Sequence, residues 1–133
     1  CRNAERAETK RKELVESTSN EKIHVITGDC GLESDIRRVW REFEAHRRAL
    51  LGTEVVDIKL HGLVCNAGAL DNEKQLTKEG IETTFATHLL FGTYLLTELA
   101  LPVMLKTEDA RVVVVSSGKC RYLSVCACWM CPV

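Results

Sequence analysis

The chain has 133 residues, 45% of them apolar, enough for one domain with a core and too few for two. Eighteen Lys and Arg against 19 Asp and Glu give a formal charge of −1, so no bulk field favours nucleic acid or an anionic membrane surface. The 28% charged content and the two prolines, Pro102 and Pro132, exclude a wholly disordered or proline-rich chain.

No run approaches the roughly 18 apolar residues of a membrane helix. The longest candidate, 89–105, is broken by Gly92, Glu98 and Pro102. The opening Cys-Arg-Asn-Ala-Glu-Arg is charged where a signal peptide is apolar, so cytoplasmic residence is the expectation. Cys1, Cys30 and Cys65 are scattered, whereas Cys120, Cys126, Cys128 and Cys131 crowd the carboxyl end. A secreted disulfide framework spreads an even set, and seven is odd, so the first three read as free thiols.

Residues 3–19 are dense in Glu, Arg, Lys and Ala with a thin apolar stripe, which predicts a surface helix. The β-branched run 22–28 reads as a strand. Ser34 or Asp35 could cap the helix that follows, where Ile36, Val39, Trp40 and Phe43 recur at helical steps. A second short apolar run, 60–65, ends at Asn66-Ala-Gly68. Thr77-Lys-Glu-Gly-Ile begins a long helical pattern that lasts until Pro102. Arg111-Val-Val-Val-Val-Ser116 is the clearest strand, and its four valines predict burial on both faces.

Helix, strand, helix, strand, long helix, strand is the order of an α/β fold with right-handed crossovers and a parallel sheet. Ligands in such sheets bind beyond the carboxyl ends of the strands. Three segments sit there: Gly28-Asp-Cys-Gly31, Asn66-Ala-Gly68 and Ser116-Ser-Gly118. Small residues let a ligand ring approach the backbone, an Asn amide can bond backbone on both sides, and rim hydroxyls can orient a carbonyl. Asp29 could accept from an adenine amine or cap a turn.

Val64-Cys-Asn-Ala-Gly68 resembles the Asn-Asn-Ala-Gly signature of short-chain dehydrogenase/reductases. Arg111-Val-Val-Val-Val-Ser-Ser-Gly118 is similar to their fifth strand, and Leu76-Thr-Lys-Glu-Gly-Ile-Glu-Thr-Thr-Phe85 and Tyr94-Leu-Leu-Thr97 to the run into and along their active-site helix. The resemblance spans residues 1 to about 119 and is closest to the branch with retinol-dehydrogenase-like members. It implies a partial Rossmann-like doubly wound parallel sheet of three strands with flanking helices, and hydride exchange between a small-molecule alcohol or carbonyl and a nicotinamide cofactor. Asn66, Ala67 and Gly68 would line the adenosine-ribose side, Asp29 would contact adenine, and Ser117 would be catalytic, holding the substrate oxygen. Cys1-Arg2-Asn3 looks like the end of strand two, where the Arg2 cation would favour NADP over NAD.

Several family features fall outside these residues. The Gly-rich turn that holds the pyrophosphate would precede residue 1. The catalytic Tyr would fall near position 130, which is Met130; Tyr122 is too early, and Lys119 does not complete a Tyr-x-x-x-Lys spacing. One residue is inserted between Phe85 and Gly92, so His88 or Leu89 takes the place of the family's helix Asn. Without Tyr and Lys, hydride transfer has no proton partner, so this chain is expected to be inactive by itself and to be an internal portion of a longer enzyme. In the order 3-2-1-4-5-6, the 22–28 strand would have no neighbour for its ladder. A homo-oligomer is an expectation for a full-length enzyme only.

Residues 120–133 change composition abruptly and read as a non-native or disordered tail beside a partial dinucleotide domain at 1–119. Cys126-x-Cys128-x-x-Cys131 with Cys120 offers four thiolates, but no second short-spaced pair exists, and no metal site is expected. Two alternatives compete with an oxidoreductase. One is a non-catalytic binding or scaffold protein on the same shell. The other, a methyltransferase using Gly28-Asp-Cys-Gly31, leaves Asn66 and Ser117 unexplained and ranks last. His24, His46 and His61 have no spacing that suggests a site.

Overall fold

The computed structural model describes residues 1–52, 58–69, 71 and 73–116. Helix α1 (Ala4–Thr18) starts where the Asn3 side chain accepts the Arg6 N–H at 2.8 Å, and its single buried residue is Ala7. Few apolar side chains on this helix leave little to bury, as the sequence predicts.

Helix α2 (Glu33–Leu51) buries Ile36 and Trp40, one turn apart. Its amino terminus is not capped by Ser34 or Asp35. Leu32 occupies the cap position, and the carboxylate of Glu79, far along the chain, accepts the Glu33 N–H at 2.7 Å and the Ser34 hydroxyl at 2.8 Å. A carboxylate there satisfies orphan amides and meets the positive end of the helix dipole. Asp35 turns back instead and accepts the Asp29 N–H at 2.8 Å.

The sheet of the described residues has two parallel strands, β1 (Gly62–Cys65) and β2 (Arg111–Val114), with Leu63 opposite Val112 and Cys65 opposite Val114. The parallel α/β arrangement is present, with helices between the strands. The run 22–28, expected as a strand, forms no ladder. Its backbone is held by side chains and one terminus: Gly28 N–H donates to the Cys1 carbonyl at 3.1 Å, and Arg38 donates to the Thr27 carbonyl at 3.0 Å. The expected burial of the valines is also overturned. Val112, Val113, Val114 and Val115 are 41%, 50%, 55% and 48% exposed, because β2 pairs with β1 alone in this sheet.

The long helix begins later than its sequence period suggests. Residues 77–81 form a turn: Gly80 takes φ +77° and donates to the Thr77 carbonyl at 2.9 Å, and Ile81 N–H reaches the Thr77 hydroxyl at 3.3 Å. Glu82 then caps α3 (Thr83–Phe85) by accepting the Thr84 and Phe85 N–H groups at 3.0 and 2.7 Å. The helix continues as a π-helical segment (Ala86–Leu95) and ends as α4 (Leu96–Met104), which carries Pro102 within it. A π segment is the structural form of an extra residue in a helix, and it lies where the sequence shows one inserted.

Two apolar clusters make the core. Ile36, Ala86 and Phe91 form one, Trp40, Ala100 and Met104 the other, and Leu96 and Leu99 touch both. Burying a side chain such as Ile36, 2% exposed, contributes about 1.5–3 kcal/mol. No helix among the described residues is long and apolar enough to cross a membrane.

Candidate functional site

A pocket of about 260 Å³ opens between the chain's first residues, the turn after 22–28, and the turn after β1. Arg2, Asp29, Ala67 and Gly68 all line it, so four of the six residues predicted from sequence converge on one cavity. Asn66 is exposed and does not line it, and Ser117 lies outside the described residues. The rim on the β2 side is reached through the ladder, since Val115 N–H donates to the Cys65 carbonyl at 3.0 Å.

The Asp29 carboxylate is built into its turn. Oδ1 accepts the Gly31 N–H at 2.9 Å, while Oδ2 lies 3.4 Å from the Arg2 guanidinium. Arg2 is 75% exposed, and Asp29 is its one side-chain partner among the described residues. Asp35, which receives the Asp29 N–H, is held below the usual carboxylate range by that hydrogen bond and by Arg38. It is an anion that orders the turn from beneath. Burial pushes the Cys30 thiol up, which leaves this pocket cysteine a weak nucleophile.

The opposite wall was not legible in the sequence. Thr83 and Thr87 line the pocket from the α3–π junction, with Thr87 8% exposed. His88 sits behind Gly68: its Nε2 lies 3.0 Å from the Ala69 nitrogen and 2.8 Å from the Ala69 carbonyl oxygen. An adjoining depression of about 230 Å³ shares Arg2, Asp29 and Thr83 with the first and adds Lys78. Away from the pocket, His24 and His46 stack with ring centroids 3.6 Å apart, a pairing across 22 residues that no spacing rule detects. Among the described residues no cluster of three or more His, Cys, Asp or Glu could hold a metal ion.

Sites for whole drug-sized ligands measure about 300–1,000 Å³. At about 260 Å³ the pocket lies just below that range. Its lining brings together the small residues Ala67 and Gly68, the Asp29 carboxylate and the Arg2 guanidinium.

A family model described as short chain dehydrogenase matches residues 1–128. Dehydrogenase/reductase SDR family member 12 of Homo sapiens is 36% identical over 118 residues, 89% of this chain and 33% of that protein. WW domain-containing oxidoreductase of Pongo abelii is 32% identical over 125 residues, 94% of this chain and 28% of that protein. Retinol dehydrogenase 12 of Mus musculus is 32% identical over 127 residues, 92% of this chain and 37% of that protein. The chain therefore spans 33% or less of the length of the first two relatives. No solved structure matches it. With a family model covering all but its last residues, this chain belongs to the short-chain dehydrogenase/reductase family of oxidoreductases, which carry a Rossmann-like fold and act with NAD(P) on small molecules.

Proposed function

We propose that this chain supplies the adenosine end of an NADP site in an oxidoreductase that exchanges hydride between small-molecule alcohols and carbonyls. The observation that carries the reading is the convergence of Arg2 and Asp29 with Ala67 and Gly68 around one cavity of adenosine size. Arg2 and Lys78 border the adjoining depression together, and two cations at the ribose mouth favour a 2′-phosphate over a bare 2′-hydroxyl. Nicotinamide, when bound, supplies the hydride; the residues described here bind and orient the distant end.

The test is calorimetric titration of the chain with adenosine 2′,5′-bisphosphate and with adenosine 5′-monophosphate. The 2′-phosphate ligand is expected to bind more tightly, and Arg2→Ala to narrow the difference by removing one of the two charge-assisted contacts, worth about 1.5–3 kcal/mol. Equal binding of the two ligands by the unaltered chain would overturn the NADP preference, and no binding of either would overturn the adenosine site.

A further inference from the structure

We propose that His88 is the positioning residue that fixes the Gly68–Ala69 wall of the pocket, and that Gly68 and His88 form a coupled pair in which the imidazole fills the space a side chain at 68 would need. The wall's use in binding rests on the adenosine reading above; the clamp itself rests on geometry alone.

A Cβ built on Gly68 would lie 2.8 Å from His88 Nε2, 3.1 Å from Nδ1, and closer still to Cε1. All three are ring atoms of one side chain, so the imidazole lies against the glycine. Nothing but a hydrogen fits between them. The same ring holds the next residue along. Nε2 faces both backbone polar groups of Ala69, at 3.0 Å from the nitrogen and 2.8 Å from the oxygen. One ring nitrogen serves one of these at a time. Without a hydrogen it accepts the Ala69 N–H, and with one it donates to the Ala69 carbonyl. Either way the wall is tied to the helix at the same residue, so the clamp survives a change of tautomer.

The helix supplies the aim. His88 lies in the π-helical segment, where the extra residue shifts side chains relative to an α-helix. Its own backbone is steadied there, because the Thr93 hydroxyl donates to the His88 carbonyl at 2.6 Å. Thr87, the preceding residue, faces the pocket while His88 grips its wall from behind. Inserted residue, π segment, ring against Gly68 and ordered wall are thus one causal sequence. The ring nitrogen bound to Ala69 is engaged in holding backbone, which distinguishes a positioning role from a proton relay.

The test uses the full chain with His88→Ala, His88→Gln, His88→Phe, Gly68→Ala, and the double variant Gly68→Ala/His88→Ala. Amide exchange at Ala69 is expected to quicken about three- to tenfold in His88→Ala and His88→Phe, the worth of one net hydrogen bond. His88→Gln, whose amide both donates and accepts, restores the slower rate. Gly68→Ala lowers the unfolding midpoint with His88 present and leaves it unchanged once His88 is Ala, because the obstructing ring is gone. Affinity for adenosine 2′,5′-bisphosphate follows the same pattern. Unchanged Ala69 exchange in His88→Ala, or an equal cost of Gly68→Ala in both backgrounds, overturns the proposal. If the unaltered chain binds no nucleotide, the adenosine reading fails, while exchange and the cycle of unfolding midpoints still decide the clamp.

Discussion

Gly92→Ala separates a π segment from an ordinary helix by the sign of its effect. In an α-helix interior, Ala in place of Gly stabilises by about 1 kcal/mol through backbone entropy. Here a Cβ at position 92 would fall under 3.0 Å from the Thr87 carbonyl oxygen, and 3.5 Å from the Cys30 Cβ. The first obstacle is main chain five residues back in the same helix, so no rotamer relieves it. Overpacking of this kind costs about 1–3 kcal/mol, and an immovable partner puts the cost in the upper half of that range. Set against the gain in propensity, the net expectation is destabilisation by about 1–2 kcal/mol. Urea unfolding of the full chain, followed by far-ultraviolet circular dichroism, reads it directly. Because Thr87 lines the pocket, the variant is also expected to bind adenosine 2′,5′-bisphosphate more weakly. A stabilised Gly92→Ala chain would show that residues 87–92 take an α-helical path, and the account of the inserted residue would fall with it.

Trp40, 9% exposed and packed on Phe43 with ring centroids 5.2 Å apart, is expected to cost about 3–5 kcal/mol on replacement by Ala, measured by the same urea titration. The Glu79 carboxylate is held below its ordinary value of 4.5, chiefly by the Glu33 backbone N–H and next by the Ser34 hydroxyl. Its folded pKa is depressed, so its contribution is complete above 4.5 and is lost as pH falls through the folded value; Glu79→Gln is expected to lower the unfolding midpoint at neutral pH and to converge with the unaltered chain in acid. His46 is likewise held below its ordinary 6.5, first by burial and then by His24 and Arg47. The unfolded chain therefore takes up that proton first, stability falls as pH drops from 6.5 toward the folded value, and His46→Phe, which keeps a ring on His24, is expected to flatten that part of the profile.

Helices α1 and α2 and strands β1 and β2 were legible because each rests on a local pattern: a dense run of charged helix formers, a 3.6-residue apolar period, or a short apolar or β-branched run. The turn at 77–81 was not, because Lys78 and Glu79 favour helices and Ile81 continues the period of the helix that follows. What decides against helix there is a hydroxyl and a carboxylate with other work: Thr77 bonds the backbone of Ile81, and Glu79 caps α2. The pocket divides the same way. Asp29, Ala67 and Gly68 follow a strand or strand-like run, so their place in the chain gives their place in the fold, and Arg2 was placed by the resemblance alone. Thr83 depends on where the helix starts, and Thr87 and His88 on a helix phase that the inserted residue shifts without marking which side chains turn toward the pocket. The four valines mark a strand correctly, but whether a strand is covered depends on neighbours the run itself does not encode.

The pocket's Asp29 side is therefore held differently from its Gly68 side. With no ladder on 22–28, the Asp29 turn hangs on polar hooks. Arg38 bonds the Thr27 carbonyl and the Asp35 carboxylate at 3.0 and 3.1 Å, and Asp35 in turn receives the Asp29 N–H. Each such net bond contributes about 0.5–1.5 kcal/mol, or more where a charge takes part, and these three originate on the first turns of α2. Those turns are ordered in their own right by Glu79 from the 77–81 turn. The Gly68 side hangs on the π segment through His88. Both walls thus trace back to residues 77–95, one through an ionised cap and the other through a ring packed on glycine. A change in that stretch moves the two sides of the cavity together, and a change in 22–28 moves one.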